Sequence, residues 1–244
     1  MTDAPRTVAS GRRRTTTGGD PLARPLLVVN INRSRQTLDG CRAIAARLAA
    51  LSPALAVEIV HWELIRGEGV ARLAPNSVVL GPNEDPFPSY PPAFDELLGW
   101  VRARRGPTLG ICGGHQALAL AHGAPIGPVH PVPAASTSYA GMPKVQGVVG
   151  VRLLGDPDPL VDGLPEEFSV EASHVDEVKD LPPGFRLLAI GDPCHVQIIR
   201  ADRRPLWGVQ FHPERSPLDG AAAGTRILSN FLAVAGVLPA ATAP

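Results

Sequence analysis

Cys112 sits in Gly110-Ile-Cys-Gly-Gly114, between a short apolar run, Thr108–Ile111, and a run of strong helix formers, Gln116–His122. That order predicts a buried strand passing through a sharp turn into a helix, with the thiol at the corner. Glycines are needed there because side chains flanking the turn would collide with strand or helix. The helix also aims the positive end of its dipole at the sulfur, which favours thiolate over thiol. A glycine-flanked buried cysteine is more commonly a packing residue. A nucleophile therefore needs a base, and the base an orienting group.

Gly208-Val-Gln-Phe-His-Pro-Glu214 offers both. His212 precedes a proline, so its backbone is pushed toward extended conformations. Glu214, two residues on, then falls on roughly the same side as the imidazole. A carboxylate so placed accepts the proton of one ring nitrogen and leaves the other to face Cys112. The expected constellation is a triad of Cys112, His212 and Glu214. A cysteine-type α/β-hydrolase shares the elbow but places its acid before the histidine, whereas here the acid follows it.

Gly-Ile-Cys-Gly-Gly-His-Gln, followed 100 positions later by Gly-Val-Gln-Phe-His-Pro-Glu, resembles the class I glutamine amidotransferases. Between them Ser173-His-Val-Asp-Glu-Val178 and Leu181-Pro-Pro-Gly-Phe185 are similar to the glutaminase domain of GMP synthetase and its stand-alone relatives. The resemblance covers Leu26 to Val237. It implies an oxyanion hole built from the N–H of Gly113 and from Gly81, where Leu-Gly-Pro replaces the family's Gly-Gly-Pro. It further implies that Gln116, one helical turn after Cys112, binds substrate, and that Ser173 and His174 line the substrate side or a partner face. His115 and His122 read as helix-surface or packing residues.

Net charge is zero, with Lys+Arg and Asp+Glu both at 23, so nothing calls for a nucleic-acid or anionic-membrane partner. The three cysteines are odd in number and widely spaced, which suits free thiols in a reducing cytoplasm. Cys41 falls on the apolar stripe of a helix, and Cys194 beside a turn, so both read as structural. No apolar run reaches the length of a membrane span. The histidines lack ligand spacing and no Cys-x-x-Cys occurs, so neither a metal nor a cofactor is expected.

These residues must be positioned by alternating strands and helices. Strands are expected at Pro25–Asn30, Leu55–His61, Ser77–Leu80 and Thr108–Ile111. Helices are expected at Thr37–Leu51, around Ala71 and at Phe94–Arg104. Such alternation predicts one open, mostly parallel sheet with helices on both faces. Pro125–Val149 resists assignment. Further strands follow at Val148–Leu154, Phe168–Ala172 and Arg186–Ile190, then a hairpin of Val196–Arg200 and Leu206–Gln210, giving an antiparallel C-terminal portion. Ala222–Val234 is a closing helix. Residues 1–23 and 238–244 read as a disordered and a frayed tail around a single domain at 24–237.

The chain carries no Gly-x-x-x-x-Gly-Lys-Ser/Thr phosphate loop, no Gly-x-Gly-x-x-Gly and no Ser-Gly-Gly-x-Asp-Ser. The expected activity is hydrolysis of L-glutamine to glutamate and ammonia, with a separate synthetase or amidating enzyme activating the acceptor. The alternatives are a stand-alone γ-glutamyl peptidase or hydrolase, and a regulatory protein that has lost catalysis.

Overall fold

A computed structural model describes residues 24–132 and 138–239. The tails expected at 1–23 and beyond Pro239 lie outside them. Leu238, with Val237, is packed against the core.

Five strands form the parallel part of the sheet. They are β1 (Leu26–Asn30), β2 (Val57–His61), β3 (Ser77–Leu80), β4 (Thr108–Ile111) and β11 (Leu206–Val209). Their order is β2-β1-β3-β4-β11, and antiparallel strands extend the same sheet as β10-β9-β6-β7. The latter are β6 (Val145–Leu153), β7 (Glu167–His174), β9 (Phe185–Gly191) and β10 (Val196–Ala201). The antiparallel strands precede β11 in sequence, yet β11 pairs parallel with β4, Gly208 opposite Gly110 and Val209 opposite Ile111. This return to the sheet centre is what brings the two motifs side by side.

Two strands escaped the sequence reading. β5 (Ile126–Pro128) and β8 (Asp176–Val178) pair as a small antiparallel sheet. Each has three residues, too few to show a period, and β5 contains glycine and proline.

The parallel strands β1, β3, β4 and β11 are buried at every residue because both faces are covered, while β2 at the sheet edge is only partly buried. Leu26 and Val28 face α1 (Asp39–Leu51) and α5 (Ala223–Val234); Leu27 and Val29 face the opposite cluster with α2 (Glu68–Leu73), α3 (Asp95–Ala103) and α4 (Gly113–Ala121). Cys41, Ile44 and Leu48 form the buried stripe of α1. Each such side chain removed from water contributes about 2 kcal/mol. α4 is buried on nearly every side, which is why its sequence is almost wholly apolar or small.

Candidate active site

Cys112 joins β4 directly to α4, with φ of +52° and ψ of −108°. This is left-handed territory that a side chain occupies only at a cost of about 1–3 kcal/mol. The flanking glycines show why the strain persists. A Cβ at Gly110 would strike the backbone of Gly114 and come within 2.7 Å of the His115 nitrogen. A Cβ at Gly114 would collide with the Leu80 carbonyl on β3. The turn is thus clamped from both sides by main chain.

The loop after β11 approaches the thiol. His212 is held by its N–H, which donates to Glu171 O on β7 at 2.8 Å. Its Nδ1 lies 2.7 Å from Glu214 Oε1, and both side chains are buried. Nε2 has no hydrogen-bond partner of this kind and is the nitrogen left to the Cys112 thiol. Burial pushes the His212 ring down, but the charge and hydrogen bond of Cys112, then those of Glu214, outweigh it and hold the imidazolium up at about 10. A thiol facing an imidazole whose far nitrogen rests on a carboxylate is an arrangement able to attack a carbonyl carbon and protonate the leaving group.

The cleft over Cys112 has a volume of about 550 Å3, and its walls include Asn83, Gln116, Tyr139, Ser173, His174 and Asp176. The His174 Nδ1 lies 2.9 Å from the Asp176 carbonyl, so Nδ1 is the protonated nitrogen. Burial lowers the ring to about 4 and keeps it neutral, so the unpartnered Nε2 is an acceptor. Tyr139 donates to Asp176 Oδ2 at 2.6 Å and braces the same wall.

The model of the family "Glutamine amidotransferase class-I" matches residues 42–235. The chain belongs to that family. It is 37% identical over 195 residues to the glutamine-hydrolysing GMP synthase subunit of Pyrococcus furiosus, covering 74% of this chain and 95% of that one. It is 43% identical over 108 residues to the protein of the same name from Archaeoglobus fulgidus, where the match spans 44% of this chain and only 52% of its relative. Among solved structures, a GMP synthase subunit protein of Thermoplasma acidophilum overlays with a TM-score of 0.63 at 23% identity, over 87% of this chain and 94% of that one. A glutamine amidotransferase of Methylobacillus flagellatus gives 0.62 at 17%, over 90% and 97%. At such identities the overlays establish the shared fold alone.

In this member of the family, one sequence expectation needs correction. The Gly81 N–H donates to Val29 O at 3.0 Å, completing the β1–β3 ladder, so it does not point at the thiol. The amide beside Gly113 belongs to Asn83: a Cβ on Gly113 would lie 2.7 Å from the Asn83 nitrogen. Gln116, expected to reach substrate, lines the cleft, and its Nε2 donates to the Asp176 carbonyl at 2.6 Å and to Gln210 Oε1 at 3.2 Å. Ser173 lines the cleft too, its carbonyl 3.8 Å from the Cys112 sulfur.

Of its two expected readings, His115 takes the packing one. It is fully buried against Gly208, where any side chain would strike its ring, and burial drives its titration down to about 3. Cys41 and Cys194 are buried thiols pushed far up by desolvation, Cys41 to about 12. Gln210, Asn83, Tyr139 and Asp176 were missed as site residues. Gln210 and Asp176 lie inside motifs already singled out, and Asn83 follows the Gly-Pro loop. Nothing local marks Tyr139. Among the described residues no helix is long and apolar enough to cross a membrane.

Proposed function

We propose that the chain hydrolyses L-glutamine to glutamate and ammonia and passes the ammonia to a separate acceptor-activating synthetase. The observation that carries this reading is the Cys112 thiol at a strained elbow, facing His212 with Glu214 2.7 Å behind the ring. The family assignment and the names of the GMP synthase relatives support it.

Cys112 thiolate attacks the side-chain carboxamide carbon, and the carbonyl oxygen becomes an oxyanion. The N–H groups of Gly113 and Asn83 take that charge, Asn83 replacing the Gly81 donor expected from sequence. Collapse breaks the C–N bond, and the His212 imidazolium gives its proton to the departing ammonia. Neutral His212 then accepts a proton from water, which hydrolyses the γ-glutamyl thioester to glutamate and regenerates the thiol. Glu214 orients the ring and stabilises its charge. The His174 Nε2 lone pair is placed to accept an N–H of the substrate, which a primary amide or an α-ammonium group supplies.

The deciding experiment measures glutamate release from L-glutamine and from a γ-glutamyl dipeptide. It uses the purified chain, its Cys112→Ala variant, and the chain with a GMP-forming synthetase and acceptor. Weak glutaminase activity alone, raised at least about tenfold by the partner and abolished in Cys112→Ala, is the expected result. Fast turnover of the dipeptide with little on glutamine would instead identify a stand-alone γ-glutamyl hydrolase.

A further inference from the structure

Gln210 is fully buried between two apolar neighbours, Val209 and Phe211, that are themselves wholly inaccessible. Packing alone would favour another aliphatic residue there, since burying an amide is costly unless every polar atom finds a partner. Its main chain is fixed by an N–H bond to Gln197 O at 2.9 Å. Its side chain runs into the active site, with Nε2 3.9 Å from the Cys112 sulfur and Oε1 3.2 Å from Gln116 Nε2.

From this geometry we infer that Gln210 is a catalytic residue that stabilises the Cys112 thiolate through its side-chain N–H, with Gln116 as the positioning residue that holds the amide in that orientation. The inference rests on Cys112 being the nucleophile.

The polarity of the relay decides the matter. Amide oxygen and nitrogen have nearly the same shape, so either glutamine could in principle face either way. The far end removes that freedom. The Asp176 backbone carbonyl only accepts, and it lies 2.6 Å from the Gln116 amide, so Gln116 must turn its nitrogen there. The second hydrogen of the same nitrogen meets Gln210, which must answer with oxygen. What remains for the sulfur is the Gln210 NH2 group. The chain of bonds therefore runs in one direction and ends on a donor. A donor beside sulfur discriminates between the two states of the thiol, because hydrogen bonds to an ionised acceptor are about twice as strong as neutral ones. His212 supplies charge to the same end, but it must give up its proton during the reaction, whereas the amide never titrates.

The test follows iodoacetamide labelling of the peptide containing Cys112 by mass spectrometry, as a rate against pH, in the full chain. On the acid limb of that curve, where the thiol is still largely protonated, Gln210→Leu should label about tenfold more slowly than the unaltered protein, the worth of one modest charge-assisted bond. Gln210→Glu, which keeps the shape and the acceptor for Gln116 but faces the sulfur with oxygen, should be at least as slow. Gln116→Leu should fall between. All three should converge on the unaltered rate at high pH, where the thiol ionises without help. If Gln210→Leu fails to fold by circular dichroism, the isosteric glutamate variant decides alone. Labelling at the unaltered rate throughout the acid limb, or slowing by the same factor at every pH, overturns the inference, the latter because it reports access and not ionisation. Label landing on Cys41 or Cys194 in the unaltered protein would overturn the nucleophile assignment itself, a failure distinct from this one.

Discussion

Replacing Gly113 with alanine places a methyl group against the Asn83 side-chain oxygen and 2.7 Å from the Asn83 backbone nitrogen. Carbon sits comfortably at about 3.5 Å from such an atom, so Asn83 must retreat by about 0.8 Å. Its side chain does not swing aside freely, because Nδ2 donates to Asp85 O at 2.6 Å. An oxyanion donor is effective at about 2.7–3.1 Å, and a retreat of that size takes the Asn83 N–H out of range. Losing one donor costs about 100- to 1,000-fold in turnover. The expected loss is about 100-fold, the lower end, since the Gly113 N–H itself remains. The assay is steady-state glutamate release, with thermal melting as the control that the fold survives. Adding Asn83→Gly removes the two side-chain contacts but leaves the backbone nitrogen against the new methyl group, so the double variant should recover little, a result read directly from the double-mutant cycle. Gly114→Ala is a useful contrast: its Cβ meets the Leu80 carbonyl of β3, which cannot yield, so that protein should not fold. Full turnover in Gly113→Ala would refute Asn83 as a donor.

His212→Ala should reduce turnover about as far as losing Cys112, because the two act as a unit, while Glu214→Gln should be milder, since an amide still orients the ring; equal damage from both would mean the acid does more than orient. The folded His212 is raised to about 10 from an ordinary imidazole value near 6.5, so its charged form and the stability it confers are complete below about 6.5 and lost as pH rises through about 10. Glutaminase activity should accordingly hold to an alkaline limb near pH 10, and a limb near 6.5 would contradict the ion-pair arrangement. Asp158 is a buried carboxylate that accepts from Trp207 Nε1 and the Leu160 N–H, both at 2.9 Å, and pairs with Arg186 and Arg200. Asp158→Ala should lower unfolding free energy in denaturant by about 3 kcal/mol while leaving the turnover of folded protein intact, and a loss below about 1 kcal/mol would show the cluster to be well hydrated.

Much of the frame was legible because its signals are local. Ser77–Leu80 and Thr108–Ile111 are strands at the expected residues, as continuous apolar runs bounded by turn residues should be when both faces are covered. The helix on Thr37–Leu51 begins two residues later than expected, at Asp39, with the expected Cys41, Ile44 and Leu48 inside. β8 was hidden because Ser173-His-Val-Asp-Glu-Val178 reads equally well as a loop motif and its pairing partner, β5, lies 50 residues away at Ile126–Pro128. The path of β11 was hidden for the same kind of reason. Its hairpin with β10 is a short-range feature, whereas its parallel pairing with β4 is not.

What the sequence by itself determined is the set of chemistry-bearing residues at the elbow and in the His-Pro-Glu turn. There the backbone rule is written in adjacent positions: glycines on either side of Cys112, a proline after His212, a carboxylate two residues on. What only the tertiary structure decided is which polar groups remain free to act on that thiol. Gly81 has a free-looking amide until Val29 O of β1 is seen opposite it. Gln116 has a free-looking side chain until the Asp176 carbonyl takes its nitrogen, and with it sets the direction of every hydrogen bond up to the sulfur. Each donor's partner comes from a strand or loop about 50 or more residues away, and hydrogen bonds are exclusive enough that one distant acceptor redirects the whole chain of them.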